Sequence, residues 1–167
     1  MSKVIGNNFT EMKQKLDSVG CGFCLAKWTQ VTMHLSTGMT DSCHHPAPHK
    51  IPLGELSRNP SALHNSRFKK RKRKEMLEGK RPDECNYCWK VEDNSNSFSD
   101  RVFKSSEDWS MPDFDTITNS DWRADINPRY VEVSFSNKHP IVSKFSSLRR
   151  SCALCVAFAV VTKNCDI

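Results

Sequence analysis

Between Thr29 and Leu35 the chain alternates, with Thr29, Val31, Met33 and Leu35 on one side and Gln30, Thr32 and His34 on the other. A period of two predicts a strand. Ser36-Thr37-Gly38 supplies turn chemistry, and Met39 to Cys43 is expected to return as the second strand of a hairpin. Upstream, Met12 and Leu16 share one helical face, Asn8 with Glu11 offers a capping box, and Gly20-Cys21-Gly22 is expected to end that helix. His44-His45-Pro46-Ala47-Pro48-His49 reads as loop, because two prolines so close together exclude a ladder or a helix interior. Ser66 to Glu78 predicts a helix, with Gly79 just past its end and Pro82 as a stop. Residues 93–128 are polar and acidic and read as a connecting segment with local helix, held to the fold by Trp109 and Trp122. Tyr130 to Phe135 alternates again and is the clearest later strand. The mixture predicts an α+β fold.

The 167 residues suffice for one ordinary domain, or for a small metal-stapled domain and the start of another. No stretch approaches a membrane span, and the N-terminus has no apolar segment of the secretory kind, so the expected setting is cytoplasmic with no membrane partner. The eight cysteines are then intracellular thiols, free or metal-bound, rather than a disulfide framework. The net charge of +6 is uneven: residues 1–90 carry 16 Lys/Arg against 8 Asp/Glu, and residues 91–167 carry 9 against 11. Most of the excess lies in Arg67 to Lys74. Such a run can bind phosphate backbones. With only Phe68 as an aromatic it reads first as one solvated helical face, with Phe68 and Leu77 packed inward and nucleic acid a less favoured partner.

The chemistry is carried by sulfur. The spacing Cys24-x18-Cys43-x41-Cys85-x2-Cys88 offers one close pair and two distant thiols, and the hairpin would bring Cys24 and Cys43 together. Four sulfurs in a tetrahedral array point to zinc or to an iron–sulfur cluster. A second set is open: Cys21-Gly22-Phe23-Cys24 with Cys85 and Cys88 would form a ribbon-like zinc site, leaving Cys43 without a role. His44, His45 and His49 read as loop histidines, able to donate hydrogen bonds to cluster sulfurs. No G-x-S-x-G and no Gly-rich phosphate loop occurs, so hydrolase and nucleotide-binding readings have no support.

Several segments together resemble the cluster-binding unit of the SPASM/twitch type. They are Cys24-Leu25-Ala26-Lys27-Trp28, the hairpin, Ser42-Cys43-His44-His45-Pro46, Pro60 to Asn65, Arg73 to Gly79, and Pro82-Asp83-Glu84-Cys85-Asn86-Tyr87-Cys88-Trp89. Ser99-Asp100-Arg101 and Asn127-Pro128 are similar to the same kind of protein. The closest likeness is to the twitch-domain-containing radical S-adenosylmethionine (SAM) proteins found in phages and marine bacteria. It covers roughly residues 20–137 and is most specific over Cys24 to Asp93. The resemblance implies an auxiliary [4Fe–4S] cluster on Cys24, Cys43, Cys85 and Cys88, with Cys21 matching no ligand position. It also implies a division into an N-terminal helix at 1–20, the SPASM/twitch-like unit at 21–92, the acidic connecting segment at 93–129, and the first strand of a radical SAM-like barrel at 130–137.

In that family a CxxxCxxC loop follows the first barrel strand and holds the cluster that cleaves S-adenosylmethionine. Here the three positions fall near His139, Ser143 and Ser146, and none is cysteine. Cys152, Cys155 and Cys165 follow with a different spacing. Residues 138–167 therefore read as a divergent, irregular tail on a truncated barrel strand. The expectation is an N-terminal fragment that keeps the auxiliary cluster, has no catalytic residues of its own and meets S-adenosylmethionine only in a full-length parent, whose substrate the sequence does not reveal. The competing reading is a four-cysteine zinc module that contacts nucleic acid through its basic helix.

Overall fold

The computed structural model describes residues 2–134 and 140–144, with side-chain environments from residue 9 to residue 134. It is an α+β structure. In chain order it contains α1 (Ser2–Val19), α2 (Ala26–Thr29), β1 (Gln30–His34), β2 (Met39–Asp41), β3 (His49–Lys50), α3 (Leu53–Leu56), α4 (Ala62–Asn65) and α5 (Arg67–Leu77). A 3-10 turn (Asp83–Cys85) leads into α6 (Asn86–Asn94) and α7 (Asp100–Ser105). A second 3-10 turn (Met111–Asp113) leads into α8 (Phe114–Thr118), and β4 (Tyr130–Ser134) and β5 (Pro140–Lys144) complete the sheet.

The sheet runs β3-β2-β1-β4-β5. The expected hairpin forms, with Thr32 opposite Asp41 and His34 opposite Met39 in an antiparallel pair. β4 lies parallel to β1, Val31 opposite Val131, and antiparallel to β5. Val31, Met33 and Val131 form a small core on one sheet face. The larger core is helical: Met12 and Leu16 of α1 meet Phe23, Leu25, Trp28, Met76, Trp89, Val102, Phe114 and Ile117.

Several expectations change in the folded chain. α1 starts at Ser2, so Asn8 lies inside the helix and forms no capping box with Glu11. Thr29 ends α2 rather than opening the strand, and its hydroxyl donates back to the Leu25 carbonyl. The proline loop gives way at His49, which pairs with Thr40 in a two-residue strand. Residues 93–129 supply core side chains, Val102 and Ile117 being fully buried, whereas Trp109 and Trp122 are only partly buried. Ser143 falls in β5 opposite Val131, while His139, Ser146, Cys152, Cys155 and Cys165 lie outside the described residues.

The basic helix departs most from its sequence reading. Ser66 caps it by accepting from the Lys69 amide, and Gly79 (φ 74°) ends it in a left-handed conformation that side chains resist. However, Lys69 and Arg73 point inward and are 1% and 0% exposed. Lys69 Nζ donates to the Gln30 carbonyl, and Arg73 Nε donates to the Lys27 carbonyl. Arg73 also donates to Asn65 Oδ1 at 2.7 Å. These two side chains tie α5 to the α2–β1 junction by satisfying carbonyls that would otherwise be buried without donors. Phe68 packs partly on His49, and Leu77 sits at the edge of the helical core, as expected of the two apolar positions.

Candidate metal centre

Cys24 is positioned by backbone packing. A Cβ added to Gly22 would lie 1.9 Å from the Lys80 carbonyl oxygen, and one on Gly20 would lie 2.8 Å from that of Met76. Only glycine allows the 20–22 segment to lie this close to the chain that leaves α5. The contact carries Cys24 toward Cys85, and the Leu25 amide then donates to the Ser105 hydroxyl of α7. Cys43 lies two residues beyond β2, where the hairpin register returns it toward the start of β1. Cys85 ends its 3-10 turn and Cys88 lies in the first turn of α6, with Trp89 Nε1 donating to the Pro82 carbonyl at 2.9 Å.

These four placements converge. Cys24, Cys43, Cys85 and Cys88 all line one open pocket of about 380 Å³ of empty space. Cys88 is buried and the other three are partly buried. No three of their sulfur atoms lie within 4.8 Å of one another. Cys21 is exposed, does not line the pocket and donates its thiol to the Gly79 carbonyl.

The same wall carries cations that sequence reasoning left without a role. Lys27 is buried, lines the pocket and pairs with Glu84. Arg101 is also buried in the wall: it donates to both Glu92 oxygens, to Asp17 and to the Phe23 carbonyl. A lysine between Cys24 and Trp28 and an arginine just after Ser99-Asp100 were visible signals. What they lacked in the sequence was any sign that the helices would turn them toward the thiols. Lys104 adds a third positive side chain to the lining.

Burial pushes the Cys24 thiol up to about 12, with repulsion from Cys88 and Cys85 adding to it and Arg101 and Lys27 opposing. Burial likewise raises Cys43 to about 12, against an N–H from the His45 backbone, and Cys88 to about 11, against the Arg101 backbone amide and Ser99. Cys85 is raised by burial too, although Lys27 draws it back. The thiols thus stay protonated at neutral pH, as buried thiols do, and a metal that bound them would have to displace their protons. Three of them already have N–H or ammonium groups nearby to stabilise sulfur charge once it forms.

His44 and His45 follow Cys43 and meet Asp100: His45 Nε2 lies 2.8 Å and His44 Nε2 3.5 Å from Asp100 Oδ2. The His45 ring stacks on Tyr87. His49 is turned away, toward Ser66 and Phe68. No family model, curated protein or solved structure matches the chain. Among the described residues no helix is long and apolar enough to cross a membrane.

Proposed function

We propose that this chain holds an auxiliary [4Fe–4S] cluster on Cys24, Cys43, Cys85 and Cys88, as the cluster-binding unit of a twitch-type radical SAM protein. The observation that carries the reading is the convergence on one pocket of four thiols from separate parts of the chain: the loop before α2, the end of the hairpin, and the knuckle before and within α6. Their spacing is wider than that of a preformed single-zinc array. A tetrahedral zinc with bonds of about 2.3 Å needs sulfurs about 3.8 Å apart, whereas the corner thiolates of a cubane stand about 6–7 Å apart. Here no three sulfurs meet even a 4.8 Å limit. Cys21, which the zinc-ribbon alternative needs, lies outside the pocket.

When bound, such a cluster supplies one-electron transfer. The chain's own residues bind, insulate and bias it. Trp89 and Phe23 belong to the core behind the thiols and keep water from that side. Lys27 and Arg101 set positive charge against the thiolates, and the Arg101 and His45 amides donate to sulfur. Both effects favour the more negative, reduced state and so raise the potential.

The test is anaerobic reconstitution of the full chain with iron and sulfide. A broad brown visible absorbance with about four irons per chain supports the cluster. Colourless protein that takes up one zinc and no iron returns the chain to the zinc-module class.

A further inference from the structure

We propose that His44, His45 and Asp100 form a second, thiol-free metal site for a divalent transition ion such as zinc or iron(II), at the wall of the cysteine pocket. One ring nitrogen each of His44 and His45 and an Asp100 carboxylate oxygen lie within 4.8 Å of one another, the only such group among the described residues. Bonds of about 2.0–2.1 Å place neighbouring ligand atoms about 2.8–3.0 Å apart at octahedral angles and about 3.3–3.4 Å apart at tetrahedral angles. The observed 2.8 Å and 3.5 Å to Asp100 span those spacings, and the two imidazoles approach within 4.8 Å, so the three groups are near enough to close on one ion.

The three ligands come from two places distant in sequence: the loop after β2 and the first residue of α7. Their orientation is supported. His45 stacks on Tyr87 with ring centres 3.8 Å apart and planes 15° apart, and is only 15% exposed. His44 packs on His45 at 4.0 Å between ring centres. Each histidine presents Nε2 to the same Asp100 oxygen, His45 at hydrogen-bonding distance and His44 further off, and an ion between them would convert these approaches into metal bonds. Two imidazoles and one carboxylate make a set suited to zinc or non-haem iron(II). Because His45 and Asp100 also line the cysteine pocket, the positions left open by three protein ligands can take water or an oxygen-donor substrate beside that pocket. Lys104, another lining residue, acts electrostatically on His44. None of the three ligands is a thiol, so the inference does not rest on the cluster reading.

Cobalt(II) titration of the reduced, metal-free full chain tests this, because thiolate and imidazole–carboxylate sites differ in colour. Thiolate ligation gives intense sulfur-to-cobalt charge transfer in the near ultraviolet, and the proposed site gives only weak visible ligand-field bands. The expected result is one cobalt per chain with ligand-field bands and no matching charge transfer, in addition to any thiolate-bound cobalt. These bands should persist in C24S/C43S/C85S/C88S, and the binding behind them should weaken about tenfold or more in H45Q and in D100N. If the four-serine variant does not fold, the comparison of wild type with H45Q and D100N, each checked for native circular dichroism, decides alone. Equal cobalt affinity and stoichiometry in wild type, H45Q and D100N would overturn the proposal, as would cobalt spectra composed only of thiolate charge-transfer species.

Discussion

Arg73 shows how one side chain can look like solvated charge in a sequence and be a pillar in a fold. Seven of the eight residues from Arg67 to Lys74 are basic, and a helix of 3.6 residues per turn must bury some of them when its other face also carries charge. Lys69 and Arg73 are four apart, so they share the face that meets α2 and β1, and both find carbonyl acceptors there. Arg73→Ala removes the donor to the Lys27 carbonyl and to Asn65 and leaves a cavity, so it should destabilise the chain by about 3 kcal/mol or more. Exposed Arg71→Ala on the opposite face should change stability by no more than about 0.5 kcal/mol. Urea denaturation of the two variants checks the contrast, and equal effects would contradict the burial of Arg73.

Lys27 tests the electrostatics of the proposed centre at the same scale. Its ammonium stands close enough to Glu84, and to Cys85 and Cys43 once they lose their protons, for negative charge to raise its own pKa against the effect of burial. Lys27→Met should therefore lower the reduction potential of the reconstituted centre, because the reduced state loses a stabilising positive charge. Lys27→Met combined with Glu84→Gln removes the ion pair together and should shift the potential less than Lys27→Met alone. Protein-film voltammetry reads both. An unchanged potential in the single variant would place Lys27 outside the influence of the site.

At the scale of elements, the hairpin was legible because its period-two pattern and turn chemistry are local, and α5 because Ser66 and Gly79 mark its ends with specific backbone chemistry. The start of α1 was not, since Asn8 offers a cap that the helix simply continues through. The parallel β1–β4 pairing was not legible either: it joins residues about a hundred positions apart, and alternation states that a strand exists without naming its partner. The close pair Cys85 and Cys88 sits at the junction of a 3-10 turn with α6, and the cation-lined wall depends on α7, which falls in the segment that sequence reading took as a connector with local helix. The four cysteines could be named from spacing and resemblance. That they share a pocket depends on the packing of the glycine segment against residues 79–81, which no pattern displays.

That packing makes Gly22 a test of how elements position the thiols. Gly22→Ala forces a carbon to within 1.9 Å of the Lys80 backbone unless the segment moves. The variant should lose stability and, where it still folds, take up less iron, because Cys24 is carried away from Cys85. Iron content normalised to folded protein checks this, and normal uptake would show that the close approach is dispensable. A pH dependence belongs at this scale too. His49, in β3 and packed on Phe68 of α5, is lowered to about 4 by burial and by Lys69 and Lys27. His64, under α5, is lowered well below its usual value by burial, Lys69 and Arg73. Both must fold neutral, so the unfolded chain binds more protons and stability falls as pH drops from about 6.5 toward about 4, with His64 extending the loss further. Asp41, raised by burial, opposes this only at the acid end. His49→Gln should flatten the slope of denaturation midpoint against pH in that interval; an unaltered slope would contradict the assignment.

For the molecule as a whole, the described fold joins a helical core, a mixed sheet and a cysteine pocket at their boundary, with positive side chains in its wall. The fold class is plain in these features. The cluster reading rests on a narrower point, that four particular thiols act as one ligand set. Iron and acid-labile sulfide, counted after anaerobic reconstitution of wild type and of the five single serine variants at Cys21, Cys24, Cys43, Cys85 and Cys88, test that point most directly. The account predicts about four irons and four sulfides per chain in wild type and in Cys21→Ser, and a clear loss in each of the other four. Retention of metal in Cys43→Ser together with its loss in Cys21→Ser, or a wild-type chain that binds one zinc and no iron, would contradict it.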